Sequence, residues 1–300
     1  MRGRTPRKRD ETGGSREVRP IWPRRRNEAR HRLARQLEGK TPLDVIQAAL
    51  WIACEEYPEM DVKVEIKTLT GLCRECAKRV ERHSNPFARL DRVRGFMFDD
   101  MGFHGNVEDY DDPRNSFLND VIARRTGNPL TISLVYRELA RAADFEVRGV
   151  GLPGHFVLRT ERNGRTIYVD PFNGGDVITE DDCRDLVERS TGRASLFRRR
   201  HLDGVTGRAM VGRMLLNLKH LYLNRSDYGR ALSVVERLLL VSPGNTREIR
   251  DKGFLEAHLG MPAEAIVDLE AYLHLAPRAP DVDSVKGRVV WLRRKLSEAN

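Results

Sequence analysis

The chain has 300 residues, 40% of them hydrophobic, which is enough apolar surface for one large or two ordinary globular domains. No apolar run approaches the ~18 residues of a membrane helix, and the first thirty residues lack the apolar segment of a signal peptide. Four cysteines are too few and too scattered for a disulfide framework. A cytoplasmic protein without a membrane span is therefore predicted.

The net charge of +9 is concentrated at the N-terminus. Residues 1–36 contain 13 Lys and Arg against 4 Asp and Glu, whereas the remaining 264 residues contain 40 of each and balance to zero. Ile21 and Trp22 are the main hydrophobic residues of this segment, so it is predicted to be a disordered basic tail over residues 1–40. Such a tail could contact nucleic acid or an acidic surface; the alternative is a solvated terminus without a partner.

Three helices are predicted to follow the tail. Thr41 as N-cap and Pro42 in the first turn indicate a helix over 42–57, and apolar spacing predicts two more over 64–82 and 87–101. The second contains a single Cys-x-x-Cys pair with no second ligand pair at a workable spacing, which favours core packing over a metal site.

The segment 103–113 is acidic and rich in turn residues, and its spacing does not fit a calcium loop, so a solvated loop is predicted. A short helix over 115–125 follows. Asn128 can then cap a longer helix that begins at Pro129 and continues to about residue 143.

After this helix the hydrophobic period changes to two. Strands are predicted over 147–152, 155–160 and 165–170, and Asn163-Gly164 is a strong signal for a hairpin turn. A capping box then predicts a helix over 179–188.

The hairpin permits a prediction about two side chains. With Asn163-Gly164 at the centre of the turn, Val157 pairs with Asp170, and His155, two residues earlier, points to the same face. His155 and Asp170 are then diagonal neighbours, close enough for the carboxylate to orient the imidazole. A shift of one residue would place them on opposite faces.

The C-terminal region contains a repeat. Ala231 and Ala265 are 34 residues apart, as are Pro243 and Pro277, and this period is the length of a tetratricopeptide repeat of two antiparallel helices. A last helix over 284–296 is predicted to cap the stack. Leu218 and Tyr222 occupy positions where this repeat places packing residues, and they are also candidates for a partner-binding groove.

A nucleophile, a histidine and an orienting carboxylate form the group that acyl-transfer and amide-hydrolysing enzymes use. The chain resembles the SirB-type bacterial family, which joins a transglutaminase-like domain to C-terminal tetratricopeptide repeats. The resemblance runs from about Pro42 to the end and rests on four motifs: Asp112-Pro113-Arg114-Asn115-Ser116-Phe117-Leu118-Asn119, Arg124-Arg125-Thr126-Gly127-Asn128-Pro129-Leu130-Thr131, Gly151-Leu152-Pro153-Gly154-His155-Phe156 and Asp170-Pro171-Phe172-Asn173-Gly174-Gly175.

This resemblance implies an α+β fold: a transglutaminase-like, cysteine-protease-like domain with a helical N-terminal part over residues 41–205, then an all-α repeat domain over 206–300. It implies that His155 and Asp170 are the second and third members of the triad. It also places four residues at the pocket, namely Asn115, Asn119, Asn128 and Pro129.

The first member of the triad is missing. The nucleophile position falls on or beside Pro129, which has no nucleophilic group, and no cysteine occurs between Gly127 and Asp170. Thr131 and Ser133, slightly further along the helix, are the hydroxyl candidates for a replacement. A hydroxyl needs stronger activation than a thiol, so such a replacement should weaken the enzyme.

Two functions are predicted. The first is a non-catalytic protein or peptide-interaction or regulatory module that acts through its pocket and its repeats. The alternative is an amide or peptide hydrolase, or an acyl transferase, in which His155 is the general base and Thr131 or Ser133 the nucleophile. A structural His155–Asp170 pair without chemistry is compatible with the first function. No cofactor and no metal are predicted for either.

Overall fold

The computed structural model describes residues 23–39, 42–81, 85–162 and 164–299, and it has an α+β fold. The turn residue Asn163 and the helix cap Thr41 lie outside the described residues, as do residues 1–22 of the basic tail. Six α-helices precede the central sheet in the described ranges: α1 (Pro23–Glu38), α2 (Val45–Cys54), α3 (Val62–Val80), α4 (Pro86–Gly95), α5 (Leu118–Arg124) and α6 (Pro129–Ala142). Helix α7 (Glu180–Thr191) follows the sheet.

The central sheet is antiparallel. Its strands are β3 (Val147–Leu152), β4 (His155–Arg162), β5 (Arg165–Asp170) and β6 (Asp176–Ile178), in that spatial order. A separate parallel pair of two-residue strands, β1 (His104–Gly105) and β2 (Thr126–Gly127), joins the acidic loop to the start of α6. Strands β1, β2 and β6 were not predicted, because two or three residues carry too little periodicity to detect.

The predicted hairpin register is confirmed. Leu158 pairs with Val169 and Thr160 with Ile167, so the numbers of paired residues sum to 327 as predicted. The strand alternation also divides the sheet into two faces: Phe156 and Leu158 pack in the core that contains α6, whereas Val157 packs with α7 residues. The register therefore fixes which side chains reach the site.

Two predictions about the N-terminal region are wrong. Helix α2 begins at Val45 rather than Pro42, because the side chain of Asp44 accepts the backbone N–H of Gln47 at 3.0 Å and caps the helix there. Part of the segment predicted as a disordered tail forms the helix α1. Its residues Ala29, Leu33 and Leu37 are spaced four apart and are buried, which gives the helix an apolar stripe to pack.

The predicted third helix ends early as an α-helix. It is regular only to Gly95 and continues as a π-helical turn over Phe96–Asp100, in which the side chains of Phe96 and Met97 are buried. The predicted helix over 115–125 is a 3₁₀ turn (Pro113–Ser116) followed by α5.

The repeat helices form antiparallel pairs, as predicted from the 34-residue period. They are α8 (Gly207–Asn224) with α9 (Tyr228–Val241), α10 (Thr246–His258) with α11 (Pro262–Leu275), and the terminal α12 (Val282–Ala299). The first pair does not stand apart from the rest of the molecule. Met214 and Leu215 of α8 belong to the same hydrophobic core as the helices of the first half.

Candidate functional site

His155 is the first residue of β4 and lies directly after a tight turn. Pro153 and Gly154 connect β3 to β4, and Gly154 has a φ of +75°, a conformation that favours glycine. A Cβ at Gly154 would also lie 2.6 Å from the Cβ of Ser190, so the turn has no room for a side chain. The turn sequence therefore determines where the imidazole enters the site.

Asp170, at the end of β5, is held by the turn that follows it. Its carboxylate accepts the backbone N–H of Phe172 at 3.2 Å and the side-chain amide of Asn173 at 2.6 Å. Nε2 of His155 also donates a hydrogen bond to this carboxylate, with Nε2 and Oδ1 3.0 Å apart. Both side chains are buried, and the ring of Phe172 contacts the imidazole edge-on with centroids 5.8 Å apart. The predicted pairing of His155 with Asp170 is present in the structure.

The charge on Asp170 is stabilised despite its burial. Burial is the largest single influence and raises the pKa of the carboxyl, but the hydrogen bond and charge of His155 and the hydrogen bonds of Asn173 together outweigh it. The pKa of Asp170 is therefore below its ordinary value. An ionised carboxylate on Nε2 fixes the imidazole orientation and directs Nδ1 away from Asp170.

A cavity of about 400 Å³ lies beside His155, between β4, the N-terminus of α6 and helix α8 of the first repeat. This size is within the range of small-ligand pockets. The cavity therefore has walls from both halves of the chain. Its lining residues are Tyr110, Pro129, Leu130, Gly154, His155, Phe156, Arg213, Leu216, Asn217 and His220.

Pro129 is the first residue of α6 and lines this cavity together with His155. This is the place where the family resemblance puts the nucleophile. Proline suits it as a helix start, because the missing N–H would have no partner in the helix. Within the described residues, the cavity wall contains no cysteine.

The four cysteines lie outside the cavity wall, and three of them have a raised thiol pKa. Burial raises the pKa of both Cys73 and Cys76 to about 12, and Cys54 is buried in α2. Cys183 of α7 is fully buried in a cluster with Leu152 and Val157, where burial and then the charge of Asp170 raise its pKa to about 12. A thiol with such a pKa is not a nucleophile at neutral pH.

The two hydroxyl candidates do not line the cavity, contrary to the alternative prediction. Thr131 Oγ1 donates to the carbonyl of Asn115 at 2.7 Å and accepts the N–H of Asn128 at 3.1 Å as part of the α6 capping box. Ser133 is fully buried, with its Oγ 3.5 Å from the carbonyl oxygen of Phe156. The hydroxyl of Thr131 is thus engaged in the helix cap, and that of Ser133 is buried away from the cavity, although both were expected to replace the thiol.

Of the four residues expected at the pocket, only Pro129 lines it. Asn128 caps α6, its Oδ1 accepting the N–H of Leu130 at 3.1 Å. Asn115 holds the acidic loop by donating to the carbonyl of Asp109 at 2.8 Å. Asn119 has a buried Oδ1 that finds no hydrogen-bond partner in the described residues. The motif asparagines therefore support the frame around the cavity rather than form its wall.

The two repeat residues predicted to form a partner-binding groove lie in the core. Leu218 is fully buried and Tyr222 is 5% exposed, so neither forms an open groove surface in this structure. The cavity is instead lined by other residues of α8, namely Arg213, Leu216, Asn217 and His220. The sequence carries one signal for them: on a helix they lie at spacings of three and four, on a face distinct from the core stripe.

Among the described residues, no cluster of three or more His, Cys, Asp and Glu side chains has the arrangement of a metal site. No helix in the described ranges is both long enough and apolar enough to cross a bilayer.

The sheet, the helix beginning beside His155, and the repeats that follow define a class of protein: a transglutaminase-like domain joined to tetratricopeptide repeats. Sequence comparison agrees, because residues 64–216 match the transglutaminase-like superfamily and residues 218–289 match a tetratricopeptide repeat. The first match extends into α8, the helix that completes the cavity. The chain belongs to the UPF0162, or SirB-type, family.

Relatives of the chain occur in several bacteria. It is 32% identical to a UPF0162 protein of Xylella fastidiosa (strain Temecula1) over 83% of this chain and 90% of that protein, and 27% identical to one of Vibrio cholerae over 82% and 92%. It is also 29% identical to F-box only protein 21 of Pongo abelii, over 60% of this chain and 30% of that longer protein.

One solved structure has a weaker likeness. Menin, whose crystal structure reveals the binding site for the Mixed Lineage Leukemia protein, superposes with a TM-score of 0.39 at 9% identity, covering 84% of this chain and 70% of menin. A likeness at this level does not establish a common fold.

Proposed function

We propose that this protein is a transglutaminase-like module that has lost its thiol nucleophile and binds a segment of another protein or peptide in the cavity beside His155. One observation carries the proposal: Pro129, where the family resemblance leads us to expect the nucleophile, lines the same cavity as His155 of the buried His155–Asp170 pair. Covalent attack on an amide needs a side-chain nucleophile that the imidazole can activate, and among the described residues the cavity wall contains no thiol and no serine or threonine hydroxyl. The hydroxyl that does line it is the phenol of Tyr110, whose pKa is raised by burial.

The position of the cavity supports binding. Tetratricopeptide repeats generally use the inner face of their helical stack for binding other proteins. Here α8 of the first repeat forms one wall of the cavity and α6 forms another. A bound segment would therefore contact both halves of the chain, and its affinity would depend on both.

The loss of the nucleophile can be tested by restoring it. The Pro129→Cys variant should react with iodoacetamide at neutral pH at least about tenfold faster than any of the four natural cysteines, because His155 and the α6 N-terminus favour the thiolate. Adding His155→Ala to this variant should slow the reaction by about tenfold. Equal rates with and without His155 would show that position 129 does not face the imidazole.

Binding can be tested by filling the cavity. Asn217→Trp should abolish retention of peptides from a random-sequence pool, while Asn224→Trp, the same change at an exposed site two turns further along α8, should leave it intact. The same proteins are assayed with amide and ester substrates. The proposal fails if Asn217→Trp retains the same peptides, or if the wild type turns over a substrate and His155→Ala does not.

A further inference from the structure

The cavity beside His155 contains a positive charge that no carboxylate of the described chain neutralises. Arg213 lines the cavity from α8 and is partly buried. Its Nη2 donates to the carbonyl oxygen of Leu152 at 3.3 Å, a bond that uses one of the five N–H donors of a guanidinium. In the described ranges, no Asp or Glu lies within ion-pairing distance of it.

Several other arginines with limited exposure do lie beside a carboxylate. Arg30 pairs with Glu55 at 2.6 Å, and the fully buried Arg237 lies 3.5 Å from the same carboxylate. Arg89 pairs with Asp144 at 3.1 Å. Burying a cation without a counter-charge costs free energy, and burial lowers the pKa of Arg213 accordingly. The remaining donors of Arg213 are thus available to an anion from outside the chain.

The surroundings narrow the kind of anion. The N–H groups at the start of α6, which would suit a phosphate, are already taken by Asn128 Oδ1, which accepts from Leu130 and Thr131 at 3.1 and 3.0 Å. Of the remaining wall, Leu130, Leu216 and Phe156 contribute apolar surface. One fixed cation beside apolar walls matches a single carboxylate attached to an apolar group better than it matches a dianion.

His220 lies about two turns beyond Arg213 on α8 and also lines the cavity. Burial and the charges of Lys219 and Arg247 lower its pKa, so its imidazole is mainly neutral at pH 7 and adds a hydrogen-bonding group rather than a charge. Arg247 of α10 has no ion-pair partner in the described part of the chain. The side of the cavity toward the second repeat is therefore polar, with the charge of Arg247 beyond it.

We propose that the cavity binds a peptide through a carboxylate, and that Arg213 is the anchoring residue. The inference rests on the proposed function and names the ligand class of the same site. Arg213 donates to the carboxylate, the apolar wall contacts the side chain beside it, and the peptide leaves the cavity past His220. The carboxylate can be a chain terminus or an acidic side chain, and the test separates the two.

The test compares three short peptides and one ion by calorimetry on the full chain. The peptides are N-acetyl-Ala-Leu as the free acid, the same peptide as its C-terminal amide, and N-acetyl-Ala-Glu amide; the ion is inorganic phosphate. We expect at least one of the two carboxylates to bind about tenfold more tightly than N-acetyl-Ala-Leu amide, since a charge-assisted hydrogen bond is lost in the amide. The tighter of the two acids identifies the source of the carboxylate.

Arg213→Gln should remove this preference. Arg208→Gln is the matched control, because Arg208 is on the same helix, is exposed and also donates to backbone carbonyls, those of Val241 and Leu37. Should Arg213→Gln fail to fold, Arg213→Lys keeps the charge without the planar fork and should weaken acid binding several-fold.

Each contrary result has a distinct meaning. If the acids and the amide bind equally well, the carboxylate inference fails while the proposed peptide-binding function stands. Tighter binding of inorganic phosphate than of either acid would overturn the assignment of ligand class. If none of the three peptides and inorganic phosphate binds at millimolar concentration, the inference is overturned outright. The proposed function is then tested separately by the retention assay with the random-sequence peptide pool.

Discussion

Four donors converge on the carboxylate of Asp170: Nε2 of His155, the backbone N–H groups of Phe172 and Asn173, and the side-chain amide of Asn173. A carboxylate held in this way is both a structural and an orienting group. In an active triad it would fix the imidazole for proton transfer. Here the same geometry lies beside Pro129, so Asp170 fixes the position of the imidazole in the cavity wall.

The pair gives a prediction at the residue scale. Asp170→Asn should lower the free energy of unfolding at pH 7 by about 1–3 kcal/mol, because charged hydrogen bonds are lost in a buried site. The pKa of Asp170 is lowered in the fold, so its contribution is complete above the unfolded pKa of about 3.9 and is lost as pH falls through the folded value.

The difference between wild type and variant should therefore be constant above about pH 5 and shrink below about pH 4 in denaturant titrations. Asp176→Asn is the control, since Asp176 pairs with Asp170 in the sheet but is exposed. A difference that stays constant down to pH 2 would contradict the assigned cause.

At the scale of elements, α1 shows how a basic segment becomes ordered. Its Ala29, Leu33 and Leu37 pack into the core, and Arg30 reaches Glu55 of the segment after α2 and Glu236 of α9. The helix therefore bridges the first half of the chain and the first repeat. Its charge is partly used in ion pairs, which reduces the basic surface that remains for an external anion.

Packing of α1 is testable with two neighbouring residues. Leu33→Ala should lower the free energy of unfolding by about 2–4 kcal/mol, because it removes a buried side chain and leaves a cavity. His31→Ala, at an exposed position of the same helix, should change it by no more than about 0.5 kcal/mol. Chemical denaturation measures both, and similar effects would show that α1 does not pack as described.

At the scale of the whole molecule, the repeats are joined to the transglutaminase-like half by charges as well as by the core. Glu55 follows α2 and is buried against Arg237 of α9, whose Nη1 donates to the carbonyl of Ile52 at 3.1 Å. Burial by itself raises the pKa of Glu55, but the charges of Arg237 and Arg30 together lower it by more than burial raises it. The net pKa is below the ordinary value, so the carboxyl stays ionised. Removing this charge leaves Arg237 buried without its counter-charge.

We expect Glu55→Gln to lower the free energy of unfolding by about 3–5 kcal/mol. Glu56→Gln, one residue later, breaks the more exposed bridge to Arg230 of the same helix and should cost no more than about 1 kcal/mol. Urea titration of both variants measures the two free energies of unfolding and compares them. Equal costs would mean that the buried bridge does not hold the two halves together.

Sequence alone determined the features that depend on neighbouring residues. The period-two pattern and the turn signal predicted the hairpin register, and that register was sufficient to pair His155 with Asp170 across 15 positions. The capped start of α6 at Asn128 and the 34-residue repeat are local in the same sense. Each follows from backbone geometry and spacing, which a short stretch of chain carries by itself.

Only the tertiary structure decided which side chains surround His155. Arg213 reaches the cavity because α8 packs against the first half of the chain, and Thr131 and Ser133 are excluded because capping and burial engage them. Likewise, α1 packs not only on the next helix, α2, but also on α9, which lies far away in sequence. These outcomes depend on burial and pairing between distant segments, and hydrophobic spacing within one segment does not specify its partner.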